Sequence, residues 1–224
     1  MLVCELLEDD QSRVNVGGSA QASFARVFKK KFPNSRVISI SPRSSQAADI
    51  IVKHNGKKLQ FEVKARTGPE RTNVVYDKSL RRGAHDPILD AFARSFGKER
   101  TFSELIDSYR KKDSRIGFPG DLGVVSSGKI PREFNSTDPT FLSQLRQAVI
   151  RRLQANGDNY FAIHDLSTGI TSVYFTGLGD NVLGAKPYPK LSSVQIDTYG
   201  GGYKGGMRVG IKAVIAASSK TIAL

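Results

Sequence analysis

The chain has 224 residues, with 34 Lys and Arg against 21 Asp and Glu, a formal net charge of +13 and a pI near 9.9. That length fits one medium domain, or a core carrying a large insertion, and is enough to bury a proper core. The charge points to a polyanion such as DNA, RNA or an acidic surface, while no apolar run approaches the roughly 18–20 residues of a membrane-spanning helix.

The N-terminus, "MLVCELLEDD", lacks the basic region of a signal peptide. One cysteine, Cys4, excludes an internal disulfide, and three histidines give no zinc-finger spacing. A reducing, cytoplasmic setting is therefore expected. "GGSAQASFARVFKKKFPNS" reads as a helix with Ser19 as N-cap, an apolar stripe of Ala20, Phe24, Val27 and Phe28, and Pro33 just past its end. "RVISIS" is a short strand, and "DIIVKHNGKKLQFEVKAR", from Asp49 to Arg66, is a hairpin turning on Asn55-Gly56.

Residues 67–136 are polar and rich in Gly and Arg around two short helices. Asp86 caps the first, with Pro87 at its first position, and Thr101 and Glu104 form a capping box for the second. "STDPTFLSQLRQAVIRRLQANG" is the strongest helix. Asp138 caps it, Pro139 opens it, Gly157 sits near its end, and Phe141, Leu142, Leu145, Ala148, Val149 and Leu153 form its buried stripe. Two strands follow, "NYFAIHD" and "ITSVYFTG", and the tail adds "SVQIDTYG" and "MRVGIKAVIAAS" around a "GGGYKGG" loop. That loop lacks the Walker spacing and reads as a hairpin tip. His85-Asp86 and His164-Asp165 read as structural pairs rather than acid–base dyads, since neighbours on a strand point oppositely.

The hairpin register carries the functional signal. A turn at Asn55-Gly56 sets Val52 opposite Leu59, Ile50 opposite Phe61 and Asp49 opposite Glu62. Leu59, Phe61 and Val63 then share the core face with Ile50 and Val52. Asp49, Glu62 and Lys64 share the other face. Two facing carboxylates are mutually destabilising unless they sit in water or share a cation. Mg²⁺ suits the second case, because it takes only one or two protein carboxylates and keeps waters and phosphate oxygens.

Asp49 followed by Glu62-Val63-Lys64 resembles the PD-(D/E)XK nuclease superfamily, which includes many restriction endonucleases and Holliday-junction resolvases. The element order is also similar to that family's αβββαβ core. The resemblance implies an α/β fold of restriction-endonuclease-like type: a mixed central sheet, a largely helical insertion at about 67–136, and extra C-terminal strands. It places the chain in one nuclease domain, 1–224, with the core at about 17–66 and 137–177 and a β extension at about 178–224. It implies Asp49 and Glu62 as metal ligands, the Val63 carbonyl as a further ligand, and Lys64 as the catalytic lysine. It implies Mg²⁺ as the cofactor, with Mn²⁺ as a substitute. The usual proline before the aspartate is Ala48 here, and "GGSAQASF" lacks the acid that many members carry in the first helix. Ser19 or Gln21 could act there through a water, or Glu5 or Glu8 if the N-terminal segment folds back.

Lys29, Lys30, Arg81, Arg82, Arg151, Arg152 and Lys204 are the candidate phosphate contacts. The expected function is a Mg²⁺-dependent DNA endonuclease of restriction type, compatible with a homodimer and without a membrane partner. The alternatives are a resolvase-like, repair or RNA-cleaving enzyme, or a non-catalytic nucleic-acid-binding protein on the same fold.

Overall fold

A computed structural model describes residues 16–41, 48–66, 74–96, 99–112, 136–202, 206–215 and 222–223. The described helices are α1 (Val16–Lys31), α2 (Pro87–Arg94), α3 (Phe102–Arg110) and α4 (Pro139–Ala155), the last three in succession between the fourth and fifth strands. The strands are β1 (Arg36–Ile40), β2 (Ile50–His54), β3 (Lys57–Arg66), β4 (Val74–Leu80), β5 (Tyr160–Asp165), β6 (Thr171–Phe175), β7 (Lys186–Pro187), β8 (Leu191–Gly202), β9 (Gly206–Ile215) and β10 (Ile222–Ala223). The protein is mixed α/β. No described helix is long and apolar enough to cross a membrane.

The chain packs as two compact units: Met1–Arg71 with Ile150–Pro189 and Ala217–Leu224, and Thr72–Val149 with Lys190–Ala216. In the first unit the sheet runs β1-β2-β3-β5-β6-β10, with β7 paired to β6. It is mixed: β2 lies antiparallel to β3, and β5 parallel to β3. Alternation puts Ile50, Val52, Leu59, Phe61 and Val63 on one face, where they meet Phe24 and Phe28 of α1. Phe61 is the centre of this core, with ring centroids 4.9 Å from Phe24, 5.4 Å from Phe28 and 5.2 Å from Tyr160. Burying each such ring removes its apolar area from water, for about 1.5–3 kcal/mol.

The helix α1 starts at Val16, so Ser19 stands inside its first turn rather than capping it. The other cap assignments match the structure. The Asp86 carboxylate accepts from the N–H groups of Ile88 and Leu89, Thr101 and Glu104 close their box, and Asp138 accepts from Thr140 and Phe141. In the buried stripe of α4, Ala148 is only half-buried.

The second unit has a sheet of order β4-β9-β8. Residues 67–136, read from sequence as two helices in polar chain, therefore also hold a strand, and β4 pairs with β9 of the C-terminal segment. An irregularity between Val74 and Tyr76, followed by Asp77 and Lys78, breaks the apolar alternation that would have marked it.

The end of α4 positions part of the site. Gly157 N–H bonds to the Gln154 carbonyl at 3.0 Å and Asp158 N–H to the Leu153 carbonyl at 2.9 Å, a Schellman closure with Gly157 at φ +86°. A Cβ at Gly157 would lie 2.6 Å from Gln60 Nε2. Gly157→Ala is expected to cost roughly 1–2 kcal/mol from the left-handed backbone alone, with displacement of Gln60 in addition. At about 2–4 °C per kcal/mol the melting temperature should fall by several degrees. An unchanged melt would contradict this account of the helix end.

Candidate active site

Asn55 (φ 47°) and Gly56 (φ 79°) form a primed turn that fixes the β2–β3 register at Ile50 opposite Phe61. Asp49, the residue before β2, lies close enough to Glu62 for the two carboxyls to interact. The Val63 N–H donates to Asp49 Oδ2 at 2.8 Å, which pins that carboxylate against β3. Lys64, two residues along the same face, forms an ion pair with Glu62 Oε1. The Glu62 and Lys64 side chains are only 20% and 27% exposed, so the pair is sheltered from full solvent screening.

This arrangement shifts the proton affinities. The Asp49 pKa is pushed up to about 6, first by burial and then by the Glu62 charge, with a hydrogen bond between the two carboxyls adding to the rise. Lys64 and the Val63 N–H oppose it. Two carboxyls this close favour either a shared proton or a shared cation.

A third acid, absent from the sequence motif, belongs to the same electrostatic group. Asp158 is fully buried, and neither carboxylate oxygen has a hydrogen-bond partner among the described residues. Burial raises its pKa to about 7, with Glu62 and then Asp49 adding to the rise and Lys64 opposing it. Its position carries a sequence signal. It follows the C-terminal Gly157 of a helix, where an apolar residue usually stands and the helix dipole disfavours a negative charge.

Among the described residues no three His, Cys, Asp or Glu side chains are placed to hold an ion together. The donors on offer are the Asp49 and Glu62 carboxylates and the Val63 carbonyl. That hard oxygen set fits Mg²⁺ or Mn²⁺, which fill their remaining positions with water and substrate oxygens.

Asp49, Glu62, Val63 and Lys64 are brought together. The basic candidates are distributed differently. Lys29 Nζ donates to the carbonyls of Pro33 at 2.6 Å and Ser35 at 2.7 Å, and so ties down the loop that follows α1. Lys30, Arg81, Arg151 and Arg152 are exposed. Arg82 lies 3.3 Å from Asp107, and Lys204 falls outside the described residues. Gln21 is buried, Ser19's side chain is not described, and Glu5 and Glu8 fall outside the described residues. His164 is buried against Thr171 Oγ1 at 2.8 Å with its pKa lowered by burial, a structural role.

Fold and site together define a mixed α/β protein with a sheltered carboxylate pair and a lysine on one sheet face. No protein-family model matches the chain, and neither a curated protein nor a solved structure matches it.

Proposed function

We propose that this protein is a Mg²⁺-dependent DNA endonuclease with a restriction-endonuclease-like core. The observation that carries the reading is the Asp49 carboxyl beside that of Glu62, with Lys64 paired to Glu62 and the Val63 N–H bonded to Asp49. Asp49, Glu62 and the Val63 carbonyl would hold the ion, which when bound supplies the positive charge that polarises a phosphodiester. Lys64, beside Glu62 on the same face, would position the attacking water and stabilise charge developing on phosphorus. The Val63 N–H holds Asp49 in place through the step, so the carboxylate needs no reorganisation.

The raised pKa of Asp49 has a consequence for assay conditions. Below about pH 6 its carboxyl holds a proton and competes with the ion. The net charge of +13 supports a nucleic-acid substrate.

Incubation with plasmid and with linear DNA, with and without Mg²⁺ or Mn²⁺, tests the reading. Nicked or cut products are expected only with metal, and EDTA should stop their formation. Discrete fragments would support the restriction type, and selective cutting of four-way junctions the resolvase type. Retention of DNA without products under any metal would overturn the enzymatic reading in favour of a binding protein.

A further inference from the structure

We infer that Arg36, Lys53 and Lys58 form a phosphate-binding row that holds the nucleic-acid backbone beside the Asp49–Glu62 pair. The ligand follows from the endonuclease reading, and the geometry follows from strand register alone. Arg36 stands opposite Lys53 in the β1–β2 ladder, and Lys53 stands opposite Lys58 in the β2–β3 ladder. Directly opposed residues of an antiparallel pair share a face, so three cations lie in one line across three adjacent strands. At about 4.8 Å between strands the line spans roughly 10 Å. The register shift between Val37 and Ser39 absorbs Ile38, so the bulge keeps Val37 opposite Val52 on the core side and Arg36 on the other.

All three side chains are exposed, and none pairs with a carboxylate among the described residues. Like charges placed directly opposite one another destabilise a sheet. Two such oppositions in a single row are what a polyanion would neutralise.

The row lies on the face of Asp49 and Glu62. Lys58, Gln60 and Glu62 alternate along β3, so the row sits four residues, or about 13 Å, from the acid pair. That equals about four base-pair rises along a duplex axis, at roughly 3.4 Å each. A single backbone that reaches the acid pair can therefore also cross the row. Ile51 faces Gln60 between them, so no acid interrupts the path. In the metal-free state the two carboxylates repel phosphate, and the row supplies the attraction.

The test uses the full chain in EDTA with a short labelled DNA duplex, and anisotropy read from 50 to 200 mM salt. The variant is R36A/K53A/K58A. The slope of log K against log salt should fall by up to about 3, at roughly 0.9 for each phosphate no longer neutralised. R36K/K53R/K58R should keep the slope, and the alanine variant should melt no lower than the wild type. With Mg²⁺ restored, the alanine variant should show a raised KM with kcat retained at saturating DNA. An unchanged salt slope, with cleavage intact, would overturn the row and leave the endonuclease reading standing. Loss of DNA binding in the variant, in a protein whose wild type never cuts, would support the row and overturn the enzyme. Phosphatidylserine vesicles form a further arm: if the variant lost vesicle binding but held DNA as before, a lipid surface would replace nucleic acid as the partner.

Discussion

Glu62→Ala and Asp49→Ala should each abolish Mg²⁺-dependent DNA cleavage, with rates falling on the order of a thousandfold or more. Neither carboxylate is part of the apolar core, so the fold should survive. Removing Glu62 also takes away a charge that raises the Asp49 pKa, and the metal-free protein should melt at the same temperature or higher. The ion itself provides a readout independent of activity. A ligand that binds only the folded state stabilises it in proportion to the logarithm of its concentration over Kd. Mg²⁺ should therefore raise the melting temperature of the wild type and leave both alanine variants unmoved. Lys64→Ala separates the lysine from the ligands: it should retain the Mg²⁺-induced rise while losing most of the rate. Cleavage at the wild-type rate by either carboxylate variant would refute the assignment.

How much of this could be read from the chain depends on how local the cause was. Asn55-Gly56 dictates a turn, the turn dictates the register, and the register sets Asp49 against Glu62, all within eighteen residues. The caps at Asp86, Thr101 and Asp138 are equally local, because one side chain satisfies N–H groups two or three residues away. Longer-range features were hidden. β4 exists because β9, more than a hundred residues later, offers it a ladder, and its own charged sequence gives little alternation. Lys29 looks like one of three equivalent lysines until the Pro33 and Ser35 carbonyls are seen to converge on it. The cationic row needs two registers at once, and the second depends on a bulge at Ile38 that the pattern of "RVISIS" does not announce. Asp158 is legible as an oddity at a helix end, but its link to Glu62 exists only once β5 pairs with β3.

The pH dependence of stability should be governed in large part by Asp158. Its carboxyl has a pKa of about 7 in the folded protein against an ordinary value of 3.8, so the folded state holds a proton that the unfolded chain has already released. Where the native state binds more protons, stability falls as pH rises. The loss begins near pH 4, accumulates up to about pH 7, and is complete above it, when both states are ionised. A difference of about three units corresponds to up to ~4 kcal/mol. Asp49, raised to about 6, acts in the same direction over a narrower window. Asp158→Asn removes the ionisation while keeping the shape. Near pH 4 the variant and the wild type should differ by no more than about 1 kcal/mol, since each buries one neutral polar group. By pH 8, in EDTA, the variant should be more stable by a few kcal/mol, and its melting temperature higher by on the order of 10 °C. Urea titrations at pH 4, 6 and 8 read this directly as a gap that widens with pH. Parallel profiles would mean that Asp158 is not held neutral, and a variant destabilised equally at every pH would mean that its oxygens have partners after all. A widening gap would show an acid kept beside Glu62 at a cost to the metal-free fold, at a helix end where an apolar residue would serve stability better.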